Sequence, residues 1–88
     1  MAVSLGAHLE LDPQVSLRSE RFGALAYHFG TRKLSFLKHP DLVAVVESLS
    51  SERTVEDALL AAGVDRARWP SFLAALATLE TSEMIRAA

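Results

Sequence analysis

The chain has 88 residues, half of them apolar, with a formal net charge of −2 and no cysteine. That size and composition fit one small domain with a real core and a thin stability margin, and argue against disorder. They exclude disulfide frameworks, thiolate metal sites and thiol catalysis, and they fit a cytoplasmic location. No basic or acidic block points to nucleic acid or to a charged membrane surface. No apolar run is long enough to cross a bilayer. The N-terminus lacks the positive start and clean apolar stretch of a secretory signal.

Residues 1–13 read as a flexible N-terminal arm ending in Asp12-Pro13, as chain ends commonly do. Leu9 and Leu11 alternate with polar neighbours there, a weak strand pattern. Residues 14–88 read as the single domain. From Val15 the hydrophobic period is two: Val15 and Leu17 alternate with Ser16 and Arg18. In the next stretch Leu25, Tyr27 and Phe29 share one strand face, with Phe22, Ala24, Ala26 and His28 on the other. Gly30-Thr31 predicts a tight turn, with the glycine supplying a positive φ. Leu34 to Leu37 gives a short third strand. The three pieces predict an antiparallel meander with its middle strand central and Leu34–Leu37 on an edge.

From Pro40 the period becomes helical. Leu42, Val45, Val46 and Leu49 line one face, Pro40 suits a first helical position and Asp41 complements the helix dipole. Thr54 and Asp57 have capping-box spacing ahead of Val55, Ala58, Leu59 and Ala62, and Gly63 stands where a helix-ending glycine belongs. Pro70 opens a third helix. Its core face carries Phe72, Leu73, Leu76 and Leu79, and its opposite face is small: Ser71, Ala74, Ala75 and Thr78. Met84-Ile85 is expected to fold back over the core. The order β-β-β-α-α-α is that of an α+β domain, a three-stranded meander followed by a three-helix bundle.

No residue set announces chemistry. His8, His28 and His39 are far apart and lack ligand spacing. Neither a nucleophile elbow nor a phosphate loop is present. No catalytic residue, metal or bound cofactor is therefore expected. Three helices and a strand ribbon resemble a winged helix-turn-helix, and a DNA-binding regulator is one alternative. Its recognition helix would meet phosphates with Lys or Arg. Here that helix, PSFLAALATLETSEMI, has none and carries Glu80 and Glu83. Peptide binding has a physical case. An edge strand leaves N–H and C=O groups unpaired, Ser35 being expected among its donors, and an extended peptide can add there as a new strand. The opposing reading is an edge merely blunted by Arg32, Lys33 and Lys38.

Residues 18–37, RSERFGALAYHFGTRKLSFL, and 62–76, AGVDRARWPSFLAAL, resemble the mycofactocin-system peptide chaperones. These belong to the wider PqqD-like group of RiPP recognition elements, small winged-helix domains that bind the leader of a ribosomally made peptide. The resemblance runs from about Asp12 to Ile85. It implies a noncatalytic chaperone that holds the mycofactocin precursor peptide and presents its C-terminal Val-Tyr end to a radical SAM maturase. That enzyme would carry the iron–sulfur clusters and perform the oxidative decarboxylation and crosslinking. By the same resemblance the leader adds beside Arg32, Lys33, Leu34, Ser35, Phe36 and Leu37. It packs against Trp69, Phe72, Ala75, Leu76 and Leu79, with Arg32, Lys33 and Arg68 meeting acidic leader side chains. Phe72 and Leu76 read equally well as pure core. No nucleic-acid or membrane partner is expected. An exposed edge and a terminal arm allow a homodimer by strand exchange, and an adaptor that binds only the enzyme is the second alternative. Such domains often carry a glycine before the last Leu-Ile or Met-Ile pair. Ser82-Glu83 stands there instead and predicts a less sharply turned helix end.

Overall fold

The computed structural model describes residues 3–88. Its elements in chain order are β1 (Leu9–Leu11), β2 (Val15–Glu20), β3 (Gly23–His28), β4 (Leu34–Leu37), α1 (Pro40–Ser48), α2 (Val55–Ala61), a 3-10 turn (Arg66–Arg68), α3 (Trp69–Thr81) and β5 (Ile85–Ala87). The α+β class holds: β2, β3 and β4 form the antiparallel meander with β3 in the middle, and three helices follow. No helix among the described residues is long and apolar enough to cross a membrane.

The helix starts follow from local chemistry. Thr54 Oγ1 accepts the Asp57 amide at 3.1 Å and the Asp57 carboxylate accepts the Thr54 amide at 3.1 Å, a reciprocal capping box. Pro40 and Pro70 occupy first-turn positions, where a missing N–H costs no helical bond. The core lies between the inner face of the meander and the helices. Ala24 and Ala26 on β3 are almost fully buried, as are Val45 and Val46 on α1. Two small side chains on the strand let that helix lie close to the sheet.

The described part of the expected arm is packed, while Met1 and Ala2 lie outside the described residues. Val3 and Leu9 join the core. Leu5 and Ala7 offer carbonyls to the amides of Glu56 and Val55 at 3.0 and 2.9 Å, satisfying donors that the first turn of a helix leaves free. β1 pairs antiparallel with β5 as a separate two-stranded sheet, and Arg86 Nε meets Glu10 Oε2 at 2.7 Å across it. The return of Met84-Ile85 to the core is as expected; its continuation as a strand is not.

Two local readings are corrected. Phe22 does not share the inner face with Ala24 and Ala26. It precedes the strand at a turn, and its ring lies 5.8 Å from that of Phe36 on the outer side. Gly23 makes that turn, with φ +148°, where a Cβ would collide with the Leu37 carbonyl oxygen. In the turn after β3 the left-handed residue is Arg32, at φ 62°, rather than Gly30. The buried His28 ring holds that turn, its Nδ1 accepting the amides of Gly30 and Thr31 at 3.0 Å each.

The end of α3 is sharply turned after all. Glu83 adopts φ 65°. Its amide donates to the Glu80 carbonyl at 3.0 Å, and the Met84 amide donates to the Leu79 carbonyl at 2.9 Å. This is the paired bonding of a Schellman end, with Glu83 standing where glycine is usual. A side chain in that conformation costs about 1 kcal/mol or more. Glu83→Gly is therefore expected to raise Tm by about 4 °C, measured by thermal unfolding; an unchanged or lower Tm would place no strain there.

Asp12 Oδ1 accepts the Gln14 amide at 2.8 Å, and Asp12 Oδ2 lies 3.5 Å from His28 Nε2. The backbone hydrogen bond is the main cause holding this carboxyl below its ordinary value of 3.8, with the His28 ring adding to it. A lowered folded pKa means stability present above the unfolded value and lost as pH falls through the folded one. The stability gap between wild type and Asp12→Asn should be visible in urea unfolding at about pH 7 and should shrink below about pH 4.

Candidate functional site

β4 is hydrogen-bonded to β3 on one side only. The ladder settles which groups face the free side. The His28 amide donates to the Lys33 carbonyl at 3.0 Å, and antiparallel pairs alternate between bonded and non-bonded. In the register Ala26↔Ser35 and Tyr27↔Leu34, Ser35 spends its backbone groups on β3. Leu34 and Phe36 turn theirs outward. The expectation that Ser35 supplies an edge donor is corrected accordingly: the open donors are Leu34 and Phe36. Side chains alternate in the other sense, so Ser35 and Leu37 point towards the helices while Leu34 and Phe36, exposed at 55% and 58%, face away from them.

Beside this free edge runs a groove floored by α3 and closed at one end by the start of α1. Its middle section, about 270 Å³, lies between Ser35, Phe36 and Leu37 on β4 and Leu42, Ala75, Thr78 and Leu79 on the helices. Towards the start of α3 it continues past His39, Leu42, Arg68, Ser71, Phe72 and Ala75. Towards the end of α3 it opens between Lys33 and Ala77, Thr78, Thr81 and Ser82. Adjacent sections share Ala75 or Thr78, so the three form one trench along the helix. The small side chains at these positions make room for it. A helix of 13 residues is about 20 Å long, enough for about six residues of extended chain.

The ends of the trench are polar. At one, Arg68 Nη1 meets Asp41 Oδ2 at 2.8 Å while its guanidinium lies 5.1 Å over the Phe72 ring. This pair ties the start of α1 to the start of α3. Beside it the His39 side chain caps α1, Nδ1 accepting the Asp41 amide at 3.1 Å. At the other end stands the exposed Lys33.

Of the residues named from the sequence, Lys33, Ser35, Phe36, Leu37, Arg68, Phe72, Ala75 and Leu79 line the trench, and Leu34 flanks it on the open edge. Three do not line it. Trp69 is buried beside the loop after α2, its Nε1 donating to the Val64 carbonyl at 3.0 Å under the Arg66 guanidinium. Leu76 is fully buried in the core. Arg32 sits exposed in the turn before β4. Residues missed are Leu42, His39, Ala77, Thr81 and Ser82; Ser71 and Thr78 were legible only as part of a small helix face. Among the described residues no group of three or more metal-ligating side chains comes together.

Comparison with known proteins gives one family. The model of the peptide chaperone MftB family matches residues 8–86. The chain is 52% identical to the peptide chaperone MftB of Mycobacterium ulcerans over 85% of its own length and 69% of that protein's. It is 49% identical to that of Mycobacterium tuberculosis over the same shares. It is 43% identical to that of Mycolicibacterium smegmatis, over 97% and 91%. No solved structure matches at a significant level.

If the trench takes an extended peptide, filling it from the helix side should block it. Ala75→Met is expected to weaken peptide binding about tenfold, ~1.4 kcal/mol, while Tm stays within a few degrees. Calorimetric titration beside a melting curve checks this; undiminished affinity would put the peptide elsewhere.

Proposed function

Since the chain belongs to the peptide chaperone MftB family, we propose that it is a noncatalytic cytoplasmic carrier of the mycofactocin precursor peptide, which it presents to a radical SAM maturase. The observation that carries the binding mode is the open side of β4, where Leu34 and Phe36 offer backbone groups across from the small face of α3. The leader adds there as a fourth strand of the meander. Every second side chain enters the trench between β4 and α3, and the rest lie over the outer side of the sheet.

The magnitudes suit a carrier. About four main-chain hydrogen bonds contribute roughly 1 kcal/mol each. Two apolar side chains buried in the trench add roughly 2 kcal/mol each. Ordering the peptide offsets roughly 2–5 kcal/mol of this. About 3–6 kcal/mol remains, which corresponds to a millimolar to tens-of-micromolar affinity, weak enough for the precursor to be released. Lys33 at one end of the trench favours acidic leader side chains. At the other end such a side chain competes with Asp41 for Arg68.

The test is calorimetric titration of the chain with synthetic precursor peptide, a scrambled peptide serving as control. Saturable binding of the native sequence alone is expected. Leu34→Pro removes an outward donor without touching the β3 ladder and should weaken binding about tenfold. Failure of the wild type to bind either peptide, while it binds the maturase, would make it an adaptor for the enzyme alone.

A further inference from the structure

The trench uses one face of β4. The other face, which carries the Leu34 and Phe36 side chains, looks away from the trench. Of the five large hydrophobic side chains exposed among the described residues, four lie on the meander or its turns: Phe22, Phe29, Leu34 and Phe36. Leu25 and Tyr27 of β3 stand between them, in register with Phe36 and Leu34. The aromatic rings gather in pairs, Phe22 with Phe36 at 5.8 Å and Tyr27 with Phe29 at 5.1 Å. A shallow hollow opens between Phe22, Phe36 and Lys38. A contiguous apolar surface of this kind on a small domain marks an interaction site.

Charge selects the occupant. Residues 14–38 hold five of the nine Lys and Arg residues, namely Arg18, Arg21, Arg32, Lys33 and Lys38, and one of the eleven Asp and Glu residues, Glu20. Glu20 is itself spent on Arg18, at 3.2 Å. The rest of the chain is correspondingly acidic. Lys33 belongs to the trench, but Arg18 opposite Leu25, Arg21 in the turn before Gly23 and Lys38 at the hollow still edge the apolar sheet face with cations, on a protein whose net charge is negative. A second copy meeting it face to face would set like charge against like. The area of the face sets how tightly any partner can hold it without the peptide. Three short strands present roughly 300 Å², well under the roughly 800 Å² that each partner of a stable complex buries.

We infer that this outer sheet face is the docking platform for the enzyme that receives the peptide, and that the enzyme meets it with an apolar patch ringed by carboxylates. The inference rests on the peptide-carrier reading above and deepens it. A leader strand added to β4 extends the platform by one strand and lays alternate side chains beside Leu34 and Phe36. Chaperone and cargo then form one continuous surface, larger and more apolar than the empty chaperone offers. The enzyme reads both together, and the loaded form docks more tightly than the empty one.

The experiment titrates the purified cognate radical SAM maturase, clusters intact, with wild type and two variants, each with and without precursor peptide. Phe22→Ser/Tyr27→Ser removes apolar surface. Arg21→Glu/Lys38→Glu reverses rim charge at exposed positions and serves if the first variant fails to melt cooperatively. Each is expected to lose about tenfold or more in affinity for the maturase, while affinity for the free peptide stays within about twofold. Wild-type docking should weaken severalfold between about 50 and about 300 mM salt, and peptide should strengthen it. Unchanged maturase affinity in both variants, no docking by wild type, or indifference to salt would overturn the inference. So would a dimer seen in sedimentation and abolished by Phe22→Ser/Tyr27→Ser, which would assign the face to a second copy. A wild type that fails to bind peptide sinks the carrier reading instead. A wild type that binds it, with variants that still dock, sinks this inference alone.

Discussion

The proposed peptide site depends on one strand being paired along a single edge. β4 lies against β3 on one side and leaves the Leu34 and Phe36 backbone groups open on the other. An open edge is normally a liability, because any extended chain can add to it. Here α3 restricts what can add. Its Ala75 and Thr78 stand back from β4 far enough to leave a trench, while Phe72 and Leu79 give that trench an apolar floor. A strand that enters must fit a helix as well as a ladder, and that second requirement turns a generic edge into a selective one.

The same alternation gives β4 two audiences. Ser35 and Leu37 look towards the helices, Leu34 and Phe36 towards the outer surface, and an added strand repeats the pattern. In the proposed mode a bound leader would therefore be gripped by half of its side chains and displayed by the other half. A carrier buried around its cargo could hold more tightly but would hide it from the enzyme. A one-sided groove on a sheet edge holds and displays at once, with the affinity limited to what four hydrogen bonds and a few side chains can supply.

Much of the fold was legible in the sequence because local chemistry sets it. Thr54 and Asp57 cap α2, Pro40 and Pro70 open α1 and α3, and the change from period two to helical period separates sheet from helices. What was not legible depends on contacts distant in sequence. β1 left only the weak alternation of Leu9 and Leu11, β5 is three residues long and showed no period, and their pairing joins residues far apart in the sequence. Phe22 looked like an inner-face residue because counting by two ran through Gly23, where the backbone turns and the count restarts. Trp69 and Leu76 share a helix with true trench residues; which side faces β4 follows from the packing of α1 and from the bond between Trp69 and Val64.

The open groups of β4 illustrate a deeper limit. Side-chain alternation can be read from a sequence, but hydrogen-bond alternation runs beside it and its phase is fixed only by register. Ser35 points its side chain towards the groove, so it seems the natural residue to meet a peptide, yet its backbone is spent on Ala26. Leu34 and Phe36 point their side chains away and still carry the open backbone. Affinity from the ladder and selectivity from the trench thus reside in alternate residues of one four-residue strand. Each can be altered while the other is left in place, so in the proposed mode the grip on the peptide backbone and the choice of its side chains would be separable.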